Sequence, residues 1–147
     1  MKVVIQRSKY ASVSVDNKLI NEIQSGLMIL VGFTQDDNTE DINYIVKKII
    51  NLRIFDDENG IMNKSILDTK GEILSISQVT LYGNTKKGNR PSYIKALGGK
   101  EAIKLYEIFN NTLNKSVPTK SGVFGADMQV TLTNDGPVTI IIDSKSN

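Results

Sequence analysis

The sequence predicts a single β-rich α/β domain over residues 1–147, with antiparallel or mixed strand pairing and two main helices. Three observations predict it. Short runs rich in Val, Ile and Thr recur from end to end, several of them alternating apolar and polar residues at the two-residue period of a half-buried strand. Turn chemistry, Asp16-Asn17 early and Asn134-Asp135-Gly136-Pro137 late, separates them and favours hairpins. Only two segments carry apolar residues at helical spacing.

In chain order, residues 2–7 (KVVIQR) and 11–15 (ASVSV) read as strands, and Asp16 and Asn17 turn the chain into residues 18–24 with Leu19, Ile20 and Ile23. The run GLMILVGF from Gly26 is apolar without a break, as suits a strand buried on both faces. A helix follows: Asn38 or Thr39 caps it, Glu40 and Asp41 complement its N-terminal dipole, and Ile42, Ile45, Val46, Ile49 and Ile50 form its inner stripe. It ends near Leu52 or Arg53, before the turn-forming cluster from Asp56 to Gly60. That cluster lacks the alternating ligands and distant Glu of a calcium loop, so it reads as a solvated acidic turn. Residues 72–82 (EILSISQVTLY) are β-prone, and residues 83–99, poor in apolar residues, form the longest candidate functional loop. Lys100 opens the second helix, with Ala102, Leu105, Tyr106, Phe109 and Leu113 facing inward. Finally Met128, Val130 and Leu132 alternate with polar residues, and residues 134–137 turn the chain into a last strand, VTIIID.

Composition limits the chemistry. Without Cys or His there is no disulfide scaffold, thiol nucleophile, ordinary zinc ligand set or Ser-His pair. The sequence foresees no metal requirement, and no cofactor is expected. The 18 Lys and Arg against 16 Asp and Glu leave a net charge of +2, too little for a polyelectrolyte binder. The charged N-terminus does not read as a signal peptide, and no stretch approaches the roughly 20 apolar residues of a membrane span. A cytoplasmic protein with no membrane partner is therefore expected.

Three places can carry function. Ser77, Gln78 and Thr80 lie at the end of a strand, where alternation puts Gln78 and Thr80 on one face and Ser77 and Val79 on the other; an ordinary polar sheet face reads the same way. Pro137 at the entrance of an apolar strand cannot donate to a ladder. The Asn134–Pro137 stretch is then either a plain hairpin turn or, with a cis bond, a rigid edge that turns the Gly136 and Pro137 carbonyls to one side with no Cβ on Gly136 to shield them. Residues 84–105 hold Lys86, Lys87, Arg90, Lys95, Lys100 and Lys104 against Glu101 alone. With Tyr82 and Tyr93 nearby, this suits phosphate contacts and base stacking, or a solvated lysine-rich loop.

Taken together, IQR at the start, NLRIFDDENGIMN, SQVTLYGNTKKGNRPSY, SGVFGADMQV and NDGPVTIIIDS resemble, in order and over essentially the whole chain, the D-aminoacyl-tRNA deacylases of bacteria and eukaryotes. The resemblance implies a barrel-like sheet and a homodimer with active sites at the subunit interface. It also implies hydrolysis of the ester joining a D-amino acid, or mischarged glycine, to the terminal adenosine of tRNA. The family's Ser-Gln-x-Thr motif falls on Ser77, Gln78, Val79 and Thr80, with Ser77, Gln78 and Thr80 as catalytic residues and Val79, where Phe is usual, as a substrate contact. Its Gly-cisPro motif falls on Gly136 and Pro137 and enters the partner's pocket, Arg7 matches the arginine supporting that loop, and Phe124 and Met128 match positions lining the substrate region. Lys86, Lys87 and Arg90 are the expected tRNA contacts. The resemblance assigns proton handling to the tRNA's own 2′-hydroxyl and chirality to exclusion: carbonyls holding the α-amino group leave a D side chain pointing outward and make an L side chain collide. Two other classes compete: a non-catalytic RNA-binding module, and a Ser or Thr hydrolase of small esters acting through Ser77 or Thr80.

Overall fold

The computed structural model describes residues 1–146. The chain opens with β1 (Lys2–Val15), which Asp16 and Asn17, both at positive φ, turn into β2 (Lys18–Ile23). β3 (Gly26–Gly32) leads to α1 (Thr39–Asn51), then to a small hairpin of β4 (Phe55–Asp56) and β5 (Met62–Lys64), and to the one-turn helix α2 (Ile66–Thr69). β6 (Glu72–Ser77) runs into a 3-10 turn (Val79–Tyr82), after which come α3 (Gly99–Asn114), β7 (Thr119–Ser121) and β8 (Gln129–Asp143).

β1 organises the sheet. On one edge its first half pairs antiparallel with β3 and its second half with β2, while its other edge pairs along its length with β8. β6 and β7 add on parallel beyond β3. β7 comes round to β2, where Asn21 Nδ2 donates to the Ser121 carbonyl at 2.6 Å and Lys120 Nζ to that of Glu22 at 2.9 Å, so the sheet closes nearly into a barrel. The mixed, barrel-like single domain expected from the sequence is the observed one.

Burial on both faces of β3 accounts for its unbroken apolar run. Leu27, Ile29 and Val31 join the larger core against Ile42, Ile45 and Ile49 of α1 and Phe109 and Leu113 of α3. Met28 and Leu30 face the barrel interior with Val13, Leu74 and Ile76. α1 begins as its sequence indicates, with Glu40 N–H donating to Asn38 Oδ1 and Asn38 N–H to the Asp41 carboxylate.

Several expectations give way. Residues 2–7 and 11–15 are one strand, because β1 meets β8 on one side for its whole length. β6 stops at Ser77: the Gln78 N–H makes a bond to the Val31 carbonyl at 2.8 Å, and Leu81 N–H then turns back to Gln78 O. Gly32 admits that turn, since a Cβ there would lie 2.9 Å from Gln78 O and 3.3 Å from the Leu81 and Tyr82 side chains. The Asn134–Pro137 stretch is no hairpin turn. Both halves of β8 pair with β1, and residues 135–138 bulge out where β1 has Arg7 alone.

Candidate functional site

A pocket of about 300 Å³ opens where β6 leaves the sheet. Ser77, Gln78 and Val79 form one wall; Phe124, Ala126 and Met128, from the segment before β8, form the other; Leu97 and Ala102 close the α3 side. The Phe124 ring rests tilted against Tyr106, centroids 5.8 Å apart, and the buried Tyr106 hydroxyl donates to the Ser75 carbonyl at 2.6 Å, tying α3 to β6 two residues before Ser77. Burial holds the Tyr106 phenol above its usual range, against hydrogen bonds that pull it down, so it stays a neutral donor. None of the lining side chains is ionisable.

The sequence placed Gln78 and Thr80 on one strand face. The structure brings them together through the 3-10 turn instead: Gln78 Nε2 donates to Thr80 Oγ1 at 2.5 Å. Thr80 is exposed beside the pocket rather than in its wall, and among the described residues no acid or base hydrogen-bonds its hydroxyl. The turn also leaves the Val79 and Thr80 N–H groups ahead of its first internal bond, from Leu81 to Gln78.

The bulge of β8 lies elsewhere. The Gly136–Pro137 bond is cis, both residues are exposed, and Gly136 has φ +138°. Arg7, only 7% exposed, sits beneath them: its Nε donates to the Asp135 carbonyl at 2.8 Å and its Nη1 to that of Ile54 at 2.7 Å. Arg7 pairs with Leu27 and Leu27 with Ile73, four residues before Ser77, and three strand spacings separate β8 from β6. At about 3.3 Å per residue and 4.8 Å per strand, the bulge and the Ser77 pocket of one chain are roughly 15–20 Å apart. Arg7, Gly136 and Pro137 therefore form one group, and Ser77, Gln78, Val79, Phe124 and Met128 another.

The basic segment is ordered. Asn84 and Ser92 exchange two 2.8 Å backbone bonds, closing a loop that carries Lys86, Lys87 and Arg90 fully outward around Gly88. The Leu97 N–H bonds to the Phe33 carbonyl, and the Thr34 hydroxyl donates to that of Lys95, so the loop's return is tied to the end of β3. Tyr93 is exposed there. Tyr82 is not free to stack, because its hydroxyl is buried and Lys2 Nζ covers its ring at 4.9 Å.

Sequence reasoning missed Leu97, Ala102 and Ala126 as pocket walls. Only the block around Phe124 and Met128 pointed toward Ala126, and nothing marks Leu97 or Ala102 apart from core residues.

Residues 4–143 match the family model described as D-Tyr-tRNA(Tyr) deacylase. A solved structure of a c-Myc DNA Unwinding Element Binding Protein is similar at 41% identity and a TM-score of 0.94, over 99% of this chain and 100% of that one. A probable eukaryotic D-amino acid tRNA deacylase shares the fold, with a TM-score of 0.82 at 18% identity over 96% and 97% of the two chains.

Proposed function

This chain belongs to the D-Tyr-tRNA deacylase family, hydrolases acting on D-aminoacyl-tRNA, and from that premise we propose that it proofreads chirality as a homodimer whose active sites are each built from two subunits. The aminoacyl end of tRNA enters the pocket between Val79 and Phe124, and Gly136 and Pro137 of the partner subunit close it. The separation of the two groups carries this reading. The exposed bulge lies too far from its own pocket to reach it, and it is braced from beneath as though built to contact something outside its chain. Exposed apolar side chains support the same pairing. Ile61, Met62 and Leu67 lie on or beside the β4–β5 hairpin, whose Ile54–Asp56 end Arg7 contacts, while Val79 is in the pocket wall, Val123 precedes Phe124 of that wall and Tyr93 lies beside Gly83 just after the 3-10 turn. Docking one set on the other in a two-fold dimer buries both.

In that site Ser77 and Gln78 orient the ester, the carbonyls of the partner's Gly136 and Pro137 hold the α-amino group, and the N–H groups of Val79 and Thr80 are placed to stabilise the oxyanion. No lining residue is a base, and Thr80 Oγ1 already accepts a hydrogen bond from Gln78. Thr80 is therefore a positioning group, and the vicinal 2′-hydroxyl of the tRNA ribose handles the proton. An L side chain meets the Gly136–Pro137 backbone, whereas a D side chain points outward and glycine has none to exclude. Lys86, Lys87 and Arg90 contact tRNA phosphates away from the ester, in the cytoplasm where tRNA is charged.

The test is deacylation of D-tyrosyl-tRNA, L-tyrosyl-tRNA and glycyl-tRNA by the purified protein. Release of D-tyrosine and glycine with L-tyrosyl-tRNA left intact supports the reading, and loss of the L-ester at a comparable rate overturns it. A second reading, nucleic-acid binding without turnover, draws on the exposed cationic loop and on the similar protein described as binding a DNA element. Binding with no deacylation of any of the three esters would favour it.

A further inference from the structure

We infer that Asn134 is a positioning residue for chiral selection, a side-chain staple that fixes how far the Gly136–Pro137 segment projects; this rests on the function proposed above. Asn134 and Thr139 are the last residues in register with β1 on either side of the bulge, paired with Ser8 and Gln6. Residues 135–138, facing the single residue Arg7, have no register partners on β1, so side chains and not the ladder must set how far they project. The Asn134 carboxamide joins the two ends of the bulge. Its Oδ1 accepts the Val138 N–H at 2.8 Å, and its Nδ2 donates to Thr139 Oγ1 at 3.0 Å. Thr139 Oγ1 is in turn within 3.5 Å of Gln6 Nε2 on β1.

Arg7 alone does not give this control. Its Nε holds the Asp135 carbonyl, on the entry side of the bulge, and its other contacts run down to Ile54 and Asp56. The exit side, Val138 and Thr139, is held by Asn134. Together the two side chains fix Gly136 and Pro137 from both directions, which a filter working by steric exclusion requires: displacement by a fraction of an ångström admits the side chain it should reject. Asn134 touches no substrate in this arrangement and acts through the backbone that does.

The test uses full-length protein and three variants. Asn134→Ala removes both links. Asn134→Asp keeps the acceptor for Val138 N–H and lets the Thr139 hydroxyl donate in return, so it is the conservative rescue. Thr139→Val removes one link at an exposed position. Each is assayed for kcat and KM on D-tyrosyl-tRNA and L-tyrosyl-tRNA, beside thermal unfolding of the same preparation. Asn134→Ala is expected to lower the D-over-L ratio of kcat/KM by about tenfold or more, mainly through kcat, with Asn134→Asp within about threefold of wild type. A ratio unchanged in Asn134→Ala overturns the inference, as does a loss in Asn134→Asp as large as in Asn134→Ala. Should Asn134→Ala fail to fold, Thr139→Val decides: a lowered ratio supports the staple, and an unchanged one overturns it. Wild-type protein that fails to discriminate would defeat the underlying function, whereas discrimination kept by wild type and Asn134→Ala alike defeats the staple alone.

Discussion

Gly136→Ala adds one methyl group at the point where the proposed filter meets its substrate. The structure gives its cost in three parts. At φ +138° an L side chain is strained, of order 1–3 kcal/mol. The new Cβ would lie 2.8 Å from Val138 Cγ2 and 3.0 Å from Val138 N; the first contact is relieved by rotating a valine, the second only by moving backbone. It would also lie 3.2 Å from Arg7 Nη2, on a guanidinium pinned through its Nε and Nη1. The strain alone, at about 2–4 °C per kcal/mol for a chain of this size, lowers Tm by several degrees without unfolding the protein. The functional loss should be much larger, because backbone shift and methyl both fall where the amino acid's Cα must fit. At least a hundredfold loss of kcat/KM on D-tyrosyl-tRNA and on glycyl-tRNA, about 2.7 kcal/mol of transition-state stabilisation, is expected in protein that still folds and dimerises. Thermal unfolding and deacylation on one preparation read both quantities. A variant that melts early yet keeps full activity and full rejection of L-tyrosyl-tRNA would refute the reasoning and leave Gly136 a purely structural glycine.

Other outcomes follow from the same geometry. Arg7→Lys, which cannot reach the Asp135 and Ile54 carbonyls with one rigid fork, should cost about 2–4 kcal/mol of stability and lower the D-over-L ratio; thermal melts and paired kinetics check it. Thr80→Ala should reduce turnover by about tenfold or less, with no burst of acyl-enzyme in rapid-quench kinetics of either protein; an aminoacyl adduct trapped on Thr80 or Ser77 would contradict the positioning role. Neutralising Lys86, Lys87 and Arg90 together should weaken tRNA binding and flatten its dependence on salt while leaving hydrolysis of a minimal D-aminoacyl-adenosine within about twofold; equal losses on both substrates would mean the loop shapes the pocket.

Much of the fold was legible because its signals are local. Asn38, Asp41 and the Ile stripe define α1, and the apolar run of β3 announces a strand covered on both faces. What misled were places where a distant partner decides. Asn134-Asp135-Gly136-Pro137 has the composition of a turn, and only the length of β1, which pairs on either side of it, makes it a bulge. Residues 78–82 have strand propensity, yet β3 ends at Gly32 and the bare glycine lets the chain fold over the strand end. β4, β5, α2 and β7 are two to four residues long, too short for any periodicity to show. The candidate site divides in the same way. Its motif residues stand out by type and order, whereas Leu97, Ala102 and Ala126 earn their place by position alone, and the Gln78–Thr80 contact depends on a turn the strand pattern hides.

The claim that each active site is shared between two subunits has a direct test in mixed dimers. Ala126→Phe, which fills the pocket, and Gly136→Ala, which alters the bulge, are co-expressed with different tags, and the heterodimer is purified through both. If the pocket of one subunit works with the bulge of the other, one site of the heterodimer is wild type on both sides, and activity on D-tyrosyl-tRNA returns to about half that of the wild-type dimer although each parent is nearly inactive. If pocket and bulge of the same chain form the site, both sites carry a lesion, and a heterodimer as inactive as its parents would contradict the account.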